Sequence, residues 1–173
     1  MTTVPSIRFR DRISEPHLSA ITRFISSPPP VKIADLARQL GLRVSVSNGL
    51  DPNISGQIKR DNEAEGGYHI ILNKFEGKER QRFTIAHEIA HFLLHREKID
   101  EGNGIVDNVM YRSQLSNRME VEANQLAADL IMPRHLIHEQ IREIGANDQD
   151  YLISELARRF RVSEQAMRIQ YGR

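Results

Sequence analysis

The sequence predicts an α+β fold in which a small sheet packs on one long helix and a C-terminal helical hairpin follows. Apolar residues recur at helical spacing over residues 83–95 and 118–133, residues 54–60 and 68–73 have the composition of strands, and residues 151–173 indicate two further helices. With 173 residues, of which 39% are hydrophobic, the chain can bury a sizeable core. We divide it into residues 1–140 and a C-terminal helical segment, 141–173, packed on or appended to them.

The first fifty residues are predicted to form two helices and a strand. An amphipathic stretch over about residues 14–26 meets Ser27 and three prolines, which stop a helix. Apolar spacing over residues 33–40 predicts a second helix, with Gly41 in a favourable C-terminal position. The next residues, LRVSVS, alternate like a strand, so we favour a packing helix over half of a helix-turn-helix motif.

Residues 54–60 and 68–73 are predicted to form a β-hairpin, because the acidic, glycine-containing turn NEAEGG joins them. The second strand, YHIILN, has two interpretations. It is either an exposed sheet edge that binds an extended peptide by strand addition, or a core strand, as its continuous apolar residues indicate.

The helix over residues 83–95 carries the pattern H-E-x-x-H at His87, Glu88 and His91. Four residues rotate an α-helix by about 400° and advance it by about 6 Å, so both histidines lie on one face and can share a metal ion. Glu88 can then act as a base towards a water that zinc acidifies, and is not itself a ligand. An amphipathic helix with incidental histidines is the alternative, but burial alone would not select histidine twice.

His95 lies about 12 Å from His87 along the helix axis, so the two cannot bind one ion. We expect His95 to be a structural residue at the C-terminal end of the helix, where the dipole favours it.

A catalytic zinc ion usually has three protein ligands, so one more donor is expected beyond this helix. The extended motif with a glycine and a third histidine is absent, because Leu94 and Glu97 occupy those positions. The predicted helix over residues 118–133 offers Glu120 and Glu122 instead.

Helical spacing favours Glu120 as this third ligand. One face of the helix carries Glu120, Ala123, Asn124 and Ala127. The alanines permit close helix approach, and Asn124 can hydrogen-bond an imidazole N–H. Glu122 points about 200° away, so we expect it to be solvated or paired, although it stays the alternative ligand.

Residues 99–117 are rich in Asp, Asn, Gly and Ser, which predicts a long loop. It is either an active-site lid or a surface connection. Within it, Tyr111 or Arg112 is a candidate donor to an oxyanion. After Pro133, the stretch IREIGANDQD is interpreted as a break, and we expect His135 and His138 to be structural.

The last two predicted helices are separated near residues 161–163, with Ser163 as N-cap. They have the pattern of a helix-turn-helix pair, and five arginines are candidate phosphate contacts: Arg158, Arg159, Arg161, Arg168 and Arg173. We favour the simpler interpretation, a helical hairpin that covers the core with its apolar face, because arginines on a helix are often only solvated.

Overall composition gives no strong reason to expect a nucleic-acid or membrane partner. The formal net charge is +1 and there is no cysteine. The chain lacks a continuous apolar run, and residues 1–27 mix charges with apolar residues, unlike a signal peptide. We therefore expect a cytoplasmic protein.

In two motifs the chain resembles the ImmA/IrrE family of metallo-endopeptidases: RFTIAHEIAHFLLH at residues 82–95 and EVEANQLAADLIMP at residues 120–133. Weaker resemblance covers residues 29–44 and 54–73. The resemblance implies a zincin-like metallopeptidase core that binds Zn²⁺, or Mn²⁺, through His87, His91 and Glu120, with Glu88 as the catalytic base. Asn124 stands where thermolysin-type sites have an aspartate.

The same resemblance implies a substrate. The chain is similar to cytosolic enzymes that cleave a helix-turn-helix transcriptional repressor and so derepress stress, mobile-element or prophage genes. The alternative is a zinc-containing DNA-binding regulator or interaction module without peptidase activity. Glu88 argues against that alternative, because a closed structural zinc site has no use for a base.

Overall fold

The computed structural model describes residues 6–102, 104–108 and 117–172, which form a mixed α+β fold. In these ranges the elements are α1 (Glu15–Ile25), α2 (Ile33–Gln39), β1 (Arg43–Ser47), β2 (Ile54–Arg60), β3 (Tyr68–Asn73), α3 (Lys78–Leu94), α4 (Arg96–Glu101), β4 (Ile105–Asn108), α5 (Asn117–Ile131), α6 (Arg134–Ile144), α7 (Gln149–Phe160) and α8 (Glu164–Tyr171). A short 3-10 helix, Arg10–Arg12, precedes α1.

The four strands form one sheet in the order β1-β3-β2-β4. β2 and β3 are antiparallel, which confirms the predicted hairpin, and β1 runs parallel to β3, with Val44 opposite Ile70. β3 therefore lies inside the sheet, and Ile70 is fully buried. The interpretation of YHIILN as an exposed edge is wrong, because pairing with β1 covers that side of the strand; the core-strand interpretation is correct.

Helix α3 lies against β2 and β3 on one side and against α5 on another. It starts after Gly77, five residues earlier than the predicted apolar stretch. β2 allows the close approach through Gly56, because a Cβ there would lie 2.5 Å from the Thr84 methyl group of α3. The sheet therefore fixes the position of the helix that carries the H-E-x-x-H pattern.

Two predicted irregular segments contain regular structure. The predicted loop over residues 99–117 includes the end of α4 and the strand β4, which pairs with β2. Tyr111 and Arg112 lie outside the described residues. The predicted break over residues 141–150 is correct in part: its first four residues end the helix α6, where Gly145 adopts a left-handed conformation with φ of 60°, and residues 145–148 separate α6 from α7.

Helices α7 and α8 contribute to the same apolar core as α3 and α5. The side chains of Asp148 and Ser163 cap them by accepting from the backbone N–H groups of Tyr151 and Ala166. Phe160 is fully buried. Arg82 of α3 donates to the carbonyl oxygens of residues 160 and 161, so these hydrogen bonds attach the hairpin of α7 and α8 to α3.

Among the described residues, none of the helices combines the length and the apolar character needed to cross a membrane.

Candidate metal centre

Helices α3 and α5 bring His87, His91 and Glu120 together. The Nε2 atoms of the two histidines lie 3.0 Å apart. Glu120 Oε2 is 3.5 Å from His87 Nε2, and Glu120 Oε1 is 3.3 Å from His91 Nε2. All three side chains are buried. Among residues 6–102, 104–108 and 117–172, they form the one cluster of side chains that could hold a metal ion.

Small residues on α5 bring the two helices close enough for these contacts. Ala123 and Ala127 are completely buried on the same face as Glu120. The close packing delivers the Glu120 carboxylate to the two imidazoles, in agreement with the helical spacing that favours Glu120 over Glu122.

Asn124 sets the orientation and tautomer of His87. Its amide oxygen lies 3.1 Å from His87 Nδ1. Because that oxygen can only accept, Nδ1 carries the proton and the Nε2 lone pair faces the centre. The predicted contact between Asn124 and an imidazole is therefore present.

His91 has a comparable partner that the sequence analysis did not identify. His95 Nδ1 lies 3.0 Å from His91 Nδ1, and His95 Nε2 lies 3.1 Å from Glu122 Oε2. His95 ends α3, as expected, but it also contacts a candidate metal ligand. The signal was present, since residues four apart share a helix face and His95 follows His91 by four.

The protonation states suit a cation. Burial lowers the pKa of His91 to about 4, so this imidazole is neutral near pH 7. Burial raises the pKa of Glu120, but its contacts with His87 and His91 outweigh burial, and the pKa of Glu120 lies below its ordinary value. The centre thus offers two imidazole nitrogens, that of His91 neutral, and one carboxylate.

These donors fit a divalent metal ion. Tetrahedral zinc with bonds of about 2.0–2.1 Å separates its ligand atoms by about 3.3 Å. Here the two Nε2 atoms lie 3.0 Å apart, and they lie 3.5 Å and 3.3 Å from Glu120 Oε2 and Oε1 respectively. With its proton on Nδ1, His87 directs the lone pair of Nε2 to this centre, where a cation would accept it.

Glu88 lies beside His87 on α3 and is completely buried. Both of its carboxylate oxygens are shielded from solvent. Burying a carboxylate is costly unless polar or cationic groups surround it, so a divalent cation in the centre would stabilise Glu88 as well.

Glu122, the alternative third ligand, is directed elsewhere. Its carboxylate accepts hydrogen bonds from Arg12 at 2.7 Å and Arg118 at 3.0 Å and contacts His95. Hydrogen bonding by Arg12 is the main reason that the pKa of Glu122 lies below its usual range. Glu122 is paired, as one of the two expectations had it, and it is buried rather than solvated.

A groove of about 950 Å³ lies between the start of α3, α5 and α8. Phe83 and Asn124 line it, and each also contacts His87, Phe83 by stacking at a ring distance of 6.4 Å. The remaining lining is largely apolar, including Met132, Val162 and Ile169. An extended chain lying in this groove would pass beside Phe83 and Asn124, two neighbours of His87.

Three of the five candidate phosphate-binding arginines are engaged with carboxylates. Arg158 and Arg159 pair with Glu155, and Arg168 pairs with Asp150. Arg161 adopts a left-handed conformation at the end of α7, and Arg173 lies outside the described residues.

Comparison with known proteins identifies the family. Residues 37–170 match the M78 peptidase model described as the IrrE N-terminal-like domain. The radiation response metalloprotease IrrE of Deinococcus deserti is 32% identical over 154 residues, covering 79% of this chain and 53% of that protein. Its namesake from Deinococcus radiodurans is 33% identical over 94 residues, covering 54% of this chain and 27% of that protein. The chain therefore spans about half or less of the length of these relatives.

The fold is also found among solved structures. A Mycobacterium tuberculosis transcriptional regulator superposes with a TM-score of 0.55 at 18% sequence identity, covering 92% of this chain and 48% of the regulator. At this identity, the similarity concerns the fold alone.

Proposed function

Because the chain belongs to the M78 peptidase family of IrrE N-terminal-like domains, we propose that it is a zinc-dependent endopeptidase with a zincin-like core. The observation that carries the proposal is the buried cluster of His87, His91 and Glu120, with Glu88 next to the first histidine. A carboxylate base beside an open three-ligand site is the arrangement of a catalytic metal centre. Mn²⁺ is the main competitor for the same donors.

The roles of the side chains follow from their chemistry. His87, His91 and Glu120 would hold the ion, which when bound supplies Lewis acidity towards a peptide carbonyl and acidifies a water. Glu88 takes one proton from the attacking water and later delivers it to the nitrogen of the leaving amine. Asn124 keeps the proton of His87 on Nδ1, away from the centre.

We propose a helix-turn-helix transcriptional repressor as the substrate, cut at one site to derepress stress, mobile-element or prophage genes. Support for proteolysis comes from relatives that are named metalloproteases and from the groove beside His87. The apolar lining of the groove suits a segment of polypeptide with exposed apolar side chains, such as a linker between folded parts of a repressor. Cleavage of this kind would be selective and would take place in the cytoplasm.

The proposal is tested by intact-mass analysis of the helix-turn-helix repressor encoded nearest the gene. The repressor is incubated with zinc-loaded wild type and, separately, with Glu88→Gln, which keeps the shape of the side chain. We expect one cut by wild type and a rate lower by about 10²–10⁴-fold for the variant, because general-base catalysis contributes that much. The zinc content of both proteins is measured in parallel and should be equal.

Either of two results would count against the proposal. Equal cleavage by both proteins would contradict the role of Glu88, and a repressor left intact by zinc-loaded wild type would contradict the substrate.

DNA binding by α7 and α8 is less well supported. Three of the arginines that would contact phosphates already pair with carboxylates. The two helices also bury Leu156, Phe160 and Met167 in the core, and the end of α7 is tied to α3 by Arg82.

A further inference from the structure

A chain of polar side chains extends from His91 away from the metal position. It runs from His91 Nδ1 to His95 Nδ1 over 3.0 Å, and from His95 Nε2 to Glu122 Oε2 over 3.1 Å. His91 is completely buried, and the side chains of His95 and Glu122 are 3% and 10% exposed. Arg12 donates to the same Glu122 oxygen at 2.7 Å.

The far end of this chain decides where each proton lies. An ionised carboxylate only accepts hydrogen bonds, so His95 Nε2 must carry the proton that points to Glu122. In a neutral His95 the other nitrogen, Nδ1, is then an acceptor, and His91 Nδ1 must donate to it. His91 is left with its Nε2 lone pair facing His87 and Glu120.

We propose that His95 and Glu122 are positioning residues of the metal centre, which hold His91 in the tautomer and ring orientation that bind the ion. This inference rests on the proposed metal centre. Together with Asn124 on His87, it means that each imidazole ligand has its own acceptor at Nδ1. The two acceptors differ, since one is an amide and the other is a histidine backed by a carboxylate.

The N-terminal segment takes part in this arrangement through Arg12, which precedes the region matched by the family model. Besides Glu122, the Arg12 guanidinium donates to the carbonyl oxygen of Leu94 at the end of α3, at 3.3 Å. Arg12 therefore connects the carboxylate on α5 with the end of the helix that carries both histidines. It holds Glu122 as an acceptor for His95.

The test compares His95→Leu with His95→Asn. Leucine removes the acceptor, whereas the amide oxygen of asparagine is attached at the position of the imidazole Nδ1 and can still accept from His91. His17→Leu is the matched control, because His17 also packs against α3, through Phe92 at a ring distance of 5.4 Å. Circular dichroism verifies that each full-length variant is folded.

Zinc affinity is measured for each protein by competition with a chromophoric chelator. We expect His95→Leu to bind zinc about 10–100-fold more weakly, the usual loss when the partner of a metal-bound histidine is removed. His95→Asn should recover most of the affinity, and His17→Leu should match wild type. Wild-type affinity in folded His95→Leu would overturn the inference.

A second measurement needs no variant and no metal. Two-bond ¹H–¹⁵N correlation spectra of the histidine rings show which nitrogen of His91 carries the proton in the metal-free wild-type protein. We expect Nδ1, and a proton on Nε2 would overturn the inference. Failure of the wild type to bind zinc would instead contradict the proposed function, and the tautomer of His91 would still decide the present inference.

Discussion

Glu120 and Glu122 have different environments because two residues of α-helix turn a side chain by about 200°. Glu120 faces His87 and His91 across the interface of α3 and α5, whereas Glu122 faces Arg12, Arg118 and His95. One carboxylate is therefore placed to bind the ion, and the other is placed to hold a ligand's partner.

Glu120→Ala should weaken zinc binding by more than 100-fold, because it removes a donor atom and not only a supporting contact. Glu122→Gln should have a smaller effect, since the amide oxygen can still accept from His95. Isothermal titration of metal-free protein with zinc measures both. If Glu120→Ala bound zinc more tightly than Glu122→Gln, Glu122 would be the ligand and Glu120 the supporting residue.

The composition of the centre was largely predictable from sequence because two pairs of its residues follow from helical spacing. His87 and His91 share a face of one helix, and Glu120 and Asn124 share a face of another. The link from His95 to Glu122 joins two helices, and nothing local to either helix specifies which faces meet. Arg12 was equally inaccessible, since it reaches Glu122 from more than a hundred positions away.

The position of α3 depends on its close approach to β2. At Gly56, a Cβ would lie 2.5 Å from the Thr84 methyl group and 3.0 Å from the carbonyl oxygen of Ile71. Thr84 precedes His87 by less than one turn, so any displacement of α3 at this contact moves the candidate ligands.

Gly56→Ala should lower the free energy of unfolding by roughly 1–3 kcal/mol, the usual range for overpacking a core. Gly77→Ala is the matched control, because a Cβ there has no neighbour within 4 Å, and it should cost less than about 1 kcal/mol as an N-cap change. Urea denaturation of both variants measures the difference. Equal stability of the two would mean that α3 tolerates a larger separation from the sheet.

Most helices and the hairpin of β2 and β3 were predicted from local sequence pattern, whereas β4 and α6 were not. β4 has four residues, and its pairing with β2 spans about fifty positions, so local pattern gives little signal. Whether β3 is an edge depended on β1, another non-local partner. The helix α6 was predictable, because Pro133, Gly145 and apolar residues at helical spacing mark its start, end and buried face.

Across the whole molecule, burial shifts several histidines in one direction. Desolvation is the main cause that lowers the pKa values of His17, His69, His91 and His95 below 6.5. Below about pH 6.5 the unfolded chain therefore binds more protons than the folded one, and acid favours unfolding. Carboxylates such as Glu120, whose pKa values are lowered in the folded protein, add a further loss of stability at more acidic pH.

We expect the free energy of unfolding of chelator-treated protein to fall steadily from pH 7 to pH 4. Because its pKa is lowered from 6.5 to about 4, His91 alone should reduce the free energy of unfolding by about 3 kcal/mol between pH 7 and pH 4. Urea denaturation at each pH provides the values. A stability that is constant or rises on acidification would show that these histidines are protonated in the folded protein.

The most direct test of the metal centre is a crystal structure of zinc-loaded protein with anomalous diffraction recorded on both sides of the zinc absorption edge. We predict one anomalous peak per chain, about 2.0–2.2 Å from His87 Nε2, His91 Nε2 and a Glu120 oxygen, with His95 and Glu122 outside the ligand shell. A peak bonded to Glu122 or His95, or no peak between α3 and α5, would contradict this account.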